Sequence, residues 1–149
     1  MLMRSSGAER IRILLVEDNP GDARLAREAL RDSAINSELM VLDDGFEVMA
    51  FLHRQGAYAG AARPHLILLD LNLPGIRGTE LLQEIKSHPE LRRIPVIVLT
   101  TSTAQQDIDA SYDLYANCYV IKPLDMMTFA QVLRQIENFW FNVVALPQI

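Results

Sequence analysis

The chain is short of several things, and each shortage narrows its chemistry. It has a single cysteine, Cys118, so no disulfide can form within it. A lone cysteine serves more often as a small apolar packing residue than as a reactive thiol. No apolar run approaches the roughly 20 residues that a membrane-spanning helix needs, and residues 1–10 lack the apolar stretch of a secretory signal. These two absences predict a cytoplasmic location. Basic residues are outnumbered by acidic ones, giving a formal net charge of -5, and no basic face or arm is visible. That argues against nucleic acid as the partner. There is no internal repeat or low-complexity tract.

Half of the 149 residues are hydrophobic, enough to enclose one sizeable core. The apolar residues come in short runs. Residues 11–16, Ile-Arg-Ile-Leu-Leu-Val, stop abruptly at Glu17-Asp18-Asn19-Pro20 and read as a buried strand running into a loop. Further strands are predicted over residues 38–42, 66–71, 94–99 and 118–121. Helical spacing lies between them, carried by Leu25, Ala26, Ala29 and Leu30, then by Phe46, Met49, Ala50 and Leu52. It continues through Leu81, Leu82 and Ile85, and then through Ile108, Tyr112 and Tyr115. Asp43-Asp44-Gly45 and Asp125 stand where helix caps are expected. The last helix is predicted to run to about residue 143. Five strands alternating with five helices predict a doubly wound α/β domain with a parallel sheet covered on both faces.

In such a sheet, ligands gather beyond the carboxyl ends of the strands. The first strand ends in Glu17 and Asp18. The third carries Asp70, in Leu-Ile-Leu-Leu-Asp-Leu. The fourth is followed by Thr100 and the fifth by Lys122. A carboxylate in so apolar a strand is costly unless it is paired. Crowded carboxylates repel one another unless a cation joins them, and Mg²⁺ prefers oxygen ligands. Asp18 and Asp70 would coordinate it directly, Glu17 directly or through water, and the backbone carbonyl of Asn72 would add a ligand. Asp70 would attack phosphorus, with Thr100 donating to one phosphoryl oxygen and Lys122 pairing with another. Taken singly, each residue has an ordinary explanation as a cap, a strand end or a solvated side chain. Their order at successive strand ends does not.

These segments resemble the receiver domain of two-component response regulators. The matching stretches are Leu-Leu-Val-Glu17-Asp18-Asn, Leu-Ile-Leu-Leu-Asp70-Leu-Asn-Leu-Pro-Gly75, Pro-Val-Ile-Val-Leu-Thr100-Thr-Ser and Tyr119-Val-Ile-Lys122-Pro123. The resemblance implies a flavodoxin-like sheet of order 2-1-3-4-5. It also implies phosphorylation of Asp70 by a histidine kinase and a cis peptide before Pro123. Tyr119 would be a switch aromatic coupled to Thr100, signalling through the surface of the last two strands and helices. The protein would then be no enzyme beyond its own phosphorylation and slow dephosphorylation. It would act by protein contact, without a DNA-binding output domain. Residues 51–56, Ser111-Tyr112, the long loop at 56–64, Asn117-Cys118 and the aromatic end of the chain further resemble the single-domain regulators that serve bacterial phytochrome kinases. Two functions of related topology or chemistry compete. A flavin-binding electron carrier needs a phosphate-binding loop where this chain has acidic residues. An aspartate-nucleophile phosphohydrolase needs a second Asp where this chain has Asn72.

The expected organisation is a flexible leader over 1–10, a receiver over 11–141 and an apolar tail over 142–149. Phe129, Leu133, Ile136, Trp140 and Val143 make an apolar stripe that continues into Phe141, Val144 and Leu146. Either the tail folds back on its own domain, or these eight residues form a homodimer contact.

Overall fold

The computed structural model describes residues 10–149, so the expected leader lies, except for Arg10, outside the described residues. The elements run in the order β1 (Ile11–Val16), α1 (Pro20–Arg31), β2 (Ser37–Leu42), α2 (Gly45–Leu52), a short 3₁₀ turn (Gly56–Tyr58), β3 (Leu66–Leu69), α3 (Gly78–Ser87), β4 (Val96–Thr100), α4 (Gln105–Asp113), β5 (Cys118–Ile121) and α5 (Met126–Asn138). A π turn over Phe139–Val143 closes the series. The strands form one parallel sheet of order β2-β1-β3-β4-β5; the alternation of elements predicts the parallel sheet, and the family resemblance implies its order.

Alternation along each strand divides the core between the two faces of the sheet. Leu14, Val16, Ile67, Leu69, Val96 and Val98 face one way and pack with Val48, Phe51, Leu52, Leu81, Leu82 and Ile85 from α2 and α3. Ile13, Leu15, Leu66, Leu68, Ile97 and Leu99 face the other way and pack with Ala26, Ala29 and Leu30 of α1 and Phe129 and Leu133 of α5. The central strands β1, β3 and β4 are therefore apolar at nearly every position, because both their faces are covered.

The caps obey the expected chemistry. Asp44 accepts from the N–H groups of Phe46 and Glu47, and Asp125 accepts from the N–H of Thr128. Phe46 points away from the core of α2. It is 64% exposed and lies over Gly75, whose positive φ and lack of a side chain leave room for the ring.

The end of the chain packs on its own domain. In the π turn the Val144 N–H donates to the Phe139 carbonyl at 2.9 Å. One extra residue in the turn rotates the later residues by about a quarter of the helix circumference relative to an unbroken α-helix. Phe141 is thereby buried with Phe129 and Leu133, while Ile136, Trp140 and Leu146 pack partly against the same cluster. Val143 is exposed and Val144 half-buried. Phe129, Leu133 and Phe141, expected at a subunit contact, thus belong to the chain's own core. Apart from the exposed Val143, the stripe packs wholly or partly on the chain's own core. Among the described residues no helix is long and apolar enough to cross a membrane.

Candidate phosphoacceptor site

The carboxyl ends of β1, β3, β4 and β5 bring the predicted residues to one edge. β1 pairs with β3 in a register that sets Val16 beside Leu69, and the Asp70 N–H still donates to the Val16 carbonyl at 3.1 Å. Glu17 and Asp70 therefore leave adjacent strands side by side. Ligand oxygens of Glu17, Asp18 and Asp70 lie within 4.8 Å of one another, with Glu17 and Asp70 buried and Asp18 exposed. Lys122 arrives from the end of β5, where its N–H donates to the Thr100 carbonyl at 2.6 Å. Its ammonium, 5% exposed, donates to Glu17 Oε1 at 2.7 Å, to Asp22 Oδ2 at 3.0 Å and to Asp70 Oδ2 at 3.1 Å.

This crowding sets the electrostatics. Burial pushes the Glu17 carboxyl up to about 7, although Lys122 pulls the other way. The nearby charge of Asp70 adds to the upward push. For Lys122, burial alone would lower the ammonium. The hydrogen bonds to Glu17 and Asp22 and the charge of Asp70 outweigh it and hold the group above its ordinary value. The ammonium is therefore a fixed cation opposite three carboxylates.

Two observations test whether the site fits a divalent cation and a phosphoryl group. The oxygen-only donor set suits a hard cation, and the carboxylates outnumber the one ammonium that faces them. Thr100 Oγ1 is fully buried and has no hydrogen-bond partner. Buried hydroxyls are normally satisfied, so one left unpaired at this edge is suited to an incoming oxygen. Both fit.

The other predicted residues surround the site, Asn72 in the loop after β3 and Tyr119 in β5. The Asn72 N–H donates to Asp70 Oδ1 at 3.0 Å, orienting the carboxylate. Tyr119 is half-buried, and its hydroxyl donates to the Ser102 carbonyl at 3.0 Å. Ser102 Oγ in turn donates to Asp107 Oδ2 at 2.6 Å, which ties the loop after β4 to α4. The Tyr119 N–H, on the outer edge of the sheet, donates to the Tyr112 hydroxyl at 3.2 Å. Burial pushes the Cys118 thiol up, against a reactive thiolate. The peptide before Pro123 is trans, since the described residues hold no cis bond. This corrects the expected cis form. A trans X–Pro bond is the intrinsically favoured isomer, by about 0.5–1 kcal/mol, and Lys122 reaches the carboxylates with it. Sequence reasoning misses Asp22. The available signal is its place in the first turn of α1, directly after the acidic loop.

Gly78 sits against the loop after Asp70. A Cβ there would lie 2.5 Å from Leu71 Cα and 2.8 Å from the Asp70 carbonyl oxygen. Both are backbone atoms and cannot swing aside. Gly78→Ala is expected to lower stability by about 1–3 kcal/mol, in the range of overpacked core sites. Thermal melts check it, and an unchanged midpoint would contradict the packing.

Comparison with known proteins agrees with this geometry. The model of the response regulator receiver domain matches residues 13–134. The chain belongs to the response regulator receiver family. Response regulator Rcp1 of Synechocystis sp. is 51% identical over 135 residues, covering 91% of this chain and 92% of Rcp1. The crystal structure of the phosphorylated cyanobacterial phytochrome response regulator RcpA superposes with a TM-score of 0.91 at 49% identity, covering 94% of this chain and 100% of RcpA. The Mn²⁺-bound form of Rcp1 superposes with a TM-score of 0.89 at 50% identity, covering 93% and 99% of the respective chains. Receivers are signalling proteins of two-component systems, and the electron-carrier and phosphohydrolase readings fall with this assignment. A metal-bound relative and the cluster of Glu17, Asp18 and Asp70 together support divalent-metal binding here.

Proposed function

We propose that this receiver takes a phosphoryl group on Asp70 from a histidine kinase of the bacterial phytochrome type, with Mg²⁺ as the cation, and signals through protein contact. The observation that carries the reading is the setting of Asp70. It is buried, grouped with Glu17 and Asp18, held by Lys122 at 3.1 Å and placed on the same edge as the unpaired Thr100 hydroxyl.

An Asp70 carboxylate oxygen attacks phosphorus. The new O–P bond forms as the bond to the kinase imidazole breaks, giving an aspartyl phosphate. Glu17, Asp18, Asp70 and the Asn72 carbonyl would hold Mg²⁺, which supplies charge neutralisation for the phosphoryl oxygens. The Thr100 hydroxyl donates to one phosphoryl oxygen and the Lys122 ammonium to another. Positioning and charge dominate such a transfer. The chain catalyses its own phosphorylation and slow loss of the group, and no other reaction. Thr100, drawn to the phosphoryl group, shifts the loop that holds the Tyr119 hydroxyl at Ser102. Tyr119 then turns inward and alters the surface of β4, α4, β5 and α5.

The phytochrome assignment draws its support from RcpA, which is named as a phytochrome response regulator. The test is transfer of labelled phosphate from a purified phytochrome kinase under red and far-red light. Transfer that depends on light and requires Asp70 is expected. No transfer to a protein that acetyl phosphate does label would overturn the choice of kinase.

The receiver unit spans 11–141, with 142–149 as an arm, in the cytoplasm. Phe139 and Val143, 51% and 65% exposed on the last turn, together with the partly covered Ile136, Trp140, Val144 and Leu146, form the contact of a homodimer. Light scattering should give twice the chain mass, and the monomer mass for Phe139→Glu. A monomer mass for the unaltered chain would remove the dimer.

A further inference from the structure

Helix α1 contributes a carboxylate that points to the far end of the sheet's edge rather than to its own helix. Asp22 is the third residue of α1. From there a Glu or Gln side chain can reach back to the backbone N–H of the capping residue. Here that N–H, on Asn19, donates to Glu17 Oε2 at 3.1 Å. The Asn19 side chain caps the helix by accepting from the Asp22 N–H at 3.0 Å. The Asp22 carboxylate turns instead to Lys122, a residue 100 positions away in sequence, with its Oδ2 at 3.0 Å from Nζ.

An ammonium has three donors, and those of Lys122 go to Glu17, Asp22 and Asp70. Glu17 and Asp70 belong to the cluster that fits a divalent cation, and Asp22 does not. A cation at that cluster takes up the charge of Glu17 and Asp70 and repels the neighbouring ammonium. Asp22 is then the partner of Lys122 whose charge is left to it. The geometry points to Asp22 as a positioning residue that keeps Lys122 beside Asp70 when the metal cluster is loaded, so that the ammonium is in place for the phosphoryl oxygen. This rests on the reading of Asp70 as the phosphoacceptor. The Asp22 side chain is 30% exposed, so an isosteric amide can replace it with the helix cap retained.

Two measurements test it on the full chain. The first is the ¹⁵N signal of the Lys122 ammonium with and without Mg²⁺, in the unaltered protein, Asp22→Asn and Asp22→Glu. The second is the rate of adduct formation from acetyl phosphate at saturating Mg²⁺. In the unaltered protein the protected ammonium signal persists when Mg²⁺ is added. In Asp22→Asn it broadens away on adding Mg²⁺, and acceptance falls about tenfold, the scale of one charge-assisted hydrogen bond. Asp22→Glu recovers most of both. In a Lys122→Met background, Asp22→Asn has no further effect on the rate. An ammonium signal and rate in Asp22→Asn equal to the unaltered protein's would overturn the inference. So would a tenfold loss that survives in the Lys122→Met background. If the unaltered protein takes no phosphoryl group, the phosphoacceptor reading fails, and the ammonium signal, which needs no phosphoryl donor, still decides the role of Asp22.

Discussion

Asp70→Asn is expected to accept no phosphoryl group from acetyl phosphate or from a kinase, with a rate below about one-thousandth of the unaltered protein's. A carboxamide offers no anionic oxygen for attack, and no neighbour substitutes for it. Glu17 commits its oxygens to a different task, accepting from Lys122 at 2.7 Å and from the Asn19 N–H at 3.1 Å, and Asp18 is exposed at the rim of the cluster. The loss should not come from unfolding. The amide oxygen of Asn can still accept from the Asn72 N–H, as Asp70 Oδ1 does at 3.0 Å. The substitution also removes a charge that pushes the Glu17 carboxyl up. The variant should therefore melt at or above the unaltered midpoint without metal. A phosphorylated Asp70→Asn chain in an intact-mass measurement would contradict the assignment.

Lys122→Ala is expected to have the largest effect on stability. It strips the counter-ion from Glu17 and Asp70, which are 2% and 6% exposed. Leaving a buried ion pair half-broken costs about 3–5 kcal/mol, or roughly a 6–20 °C fall in the melting midpoint for a chain of this size. The pH dependence has a definite sign. The folded Glu17 carboxyl stands at about 7 against an ordinary 4.5, so the folded state holds its proton more tightly than the unfolded state does. Its contribution favours folding below 4.5 and is lost as pH rises through about 7. Removing Lys122 takes away the influence that lowers Glu17, so its carboxyl rises further. The deficit of Lys122→Ala should be greatest above pH 7 and shrink as pH falls toward 4.5. Millimolar Mg²⁺ should restore part of it by supplying the missing positive charge. Melts at pH 8 and pH 5, with and without Mg²⁺, check all three statements. A midpoint insensitive to the substitution would contradict the buried cluster.

The acidic site is legible in the sequence because its members are tied to strand ends. Once the strands are parallel and ordered, Glu17, Asp18, Asp70, Thr100 and Lys122 must emerge at one edge whatever their side chains do. Asp22 is not legible in that way. It lies on a helix, and its part depends on Glu17 taking the Asn19 N–H, a choice between two nearby acids that spacing does not reveal. The apolar stripe of α5 is ambiguous for another reason. Phe129, Leu133 and Ile136 recur identically whether the facing surface is the chain's own sheet or a second subunit, and the π turn that buries Phe141 and exposes Val143 has no periodic signature. The exposure of Phe46 has no signal in the sequence, because α2 is apolar at most positions. The gap over Gly75 that receives its ring exists only once α2 and the loop after Asp70 are side by side. The trans peptide before Pro123 likewise depends on the local backbone, which the Lys-Pro pair alone does not fix.

The most direct test of the central claim is to locate the phosphoryl group. The unaltered protein is incubated with acetyl phosphate and Mg²⁺, reduced with borohydride, which converts an aspartyl phosphate to homoserine, and mapped by peptide mass. Acceptance on Asp70 predicts a single homoserine, at position 70, absent when Mg²⁺ is withheld. Conversion at another carboxylate, or an adduct that forms equally well without a divalent cation, would contradict it.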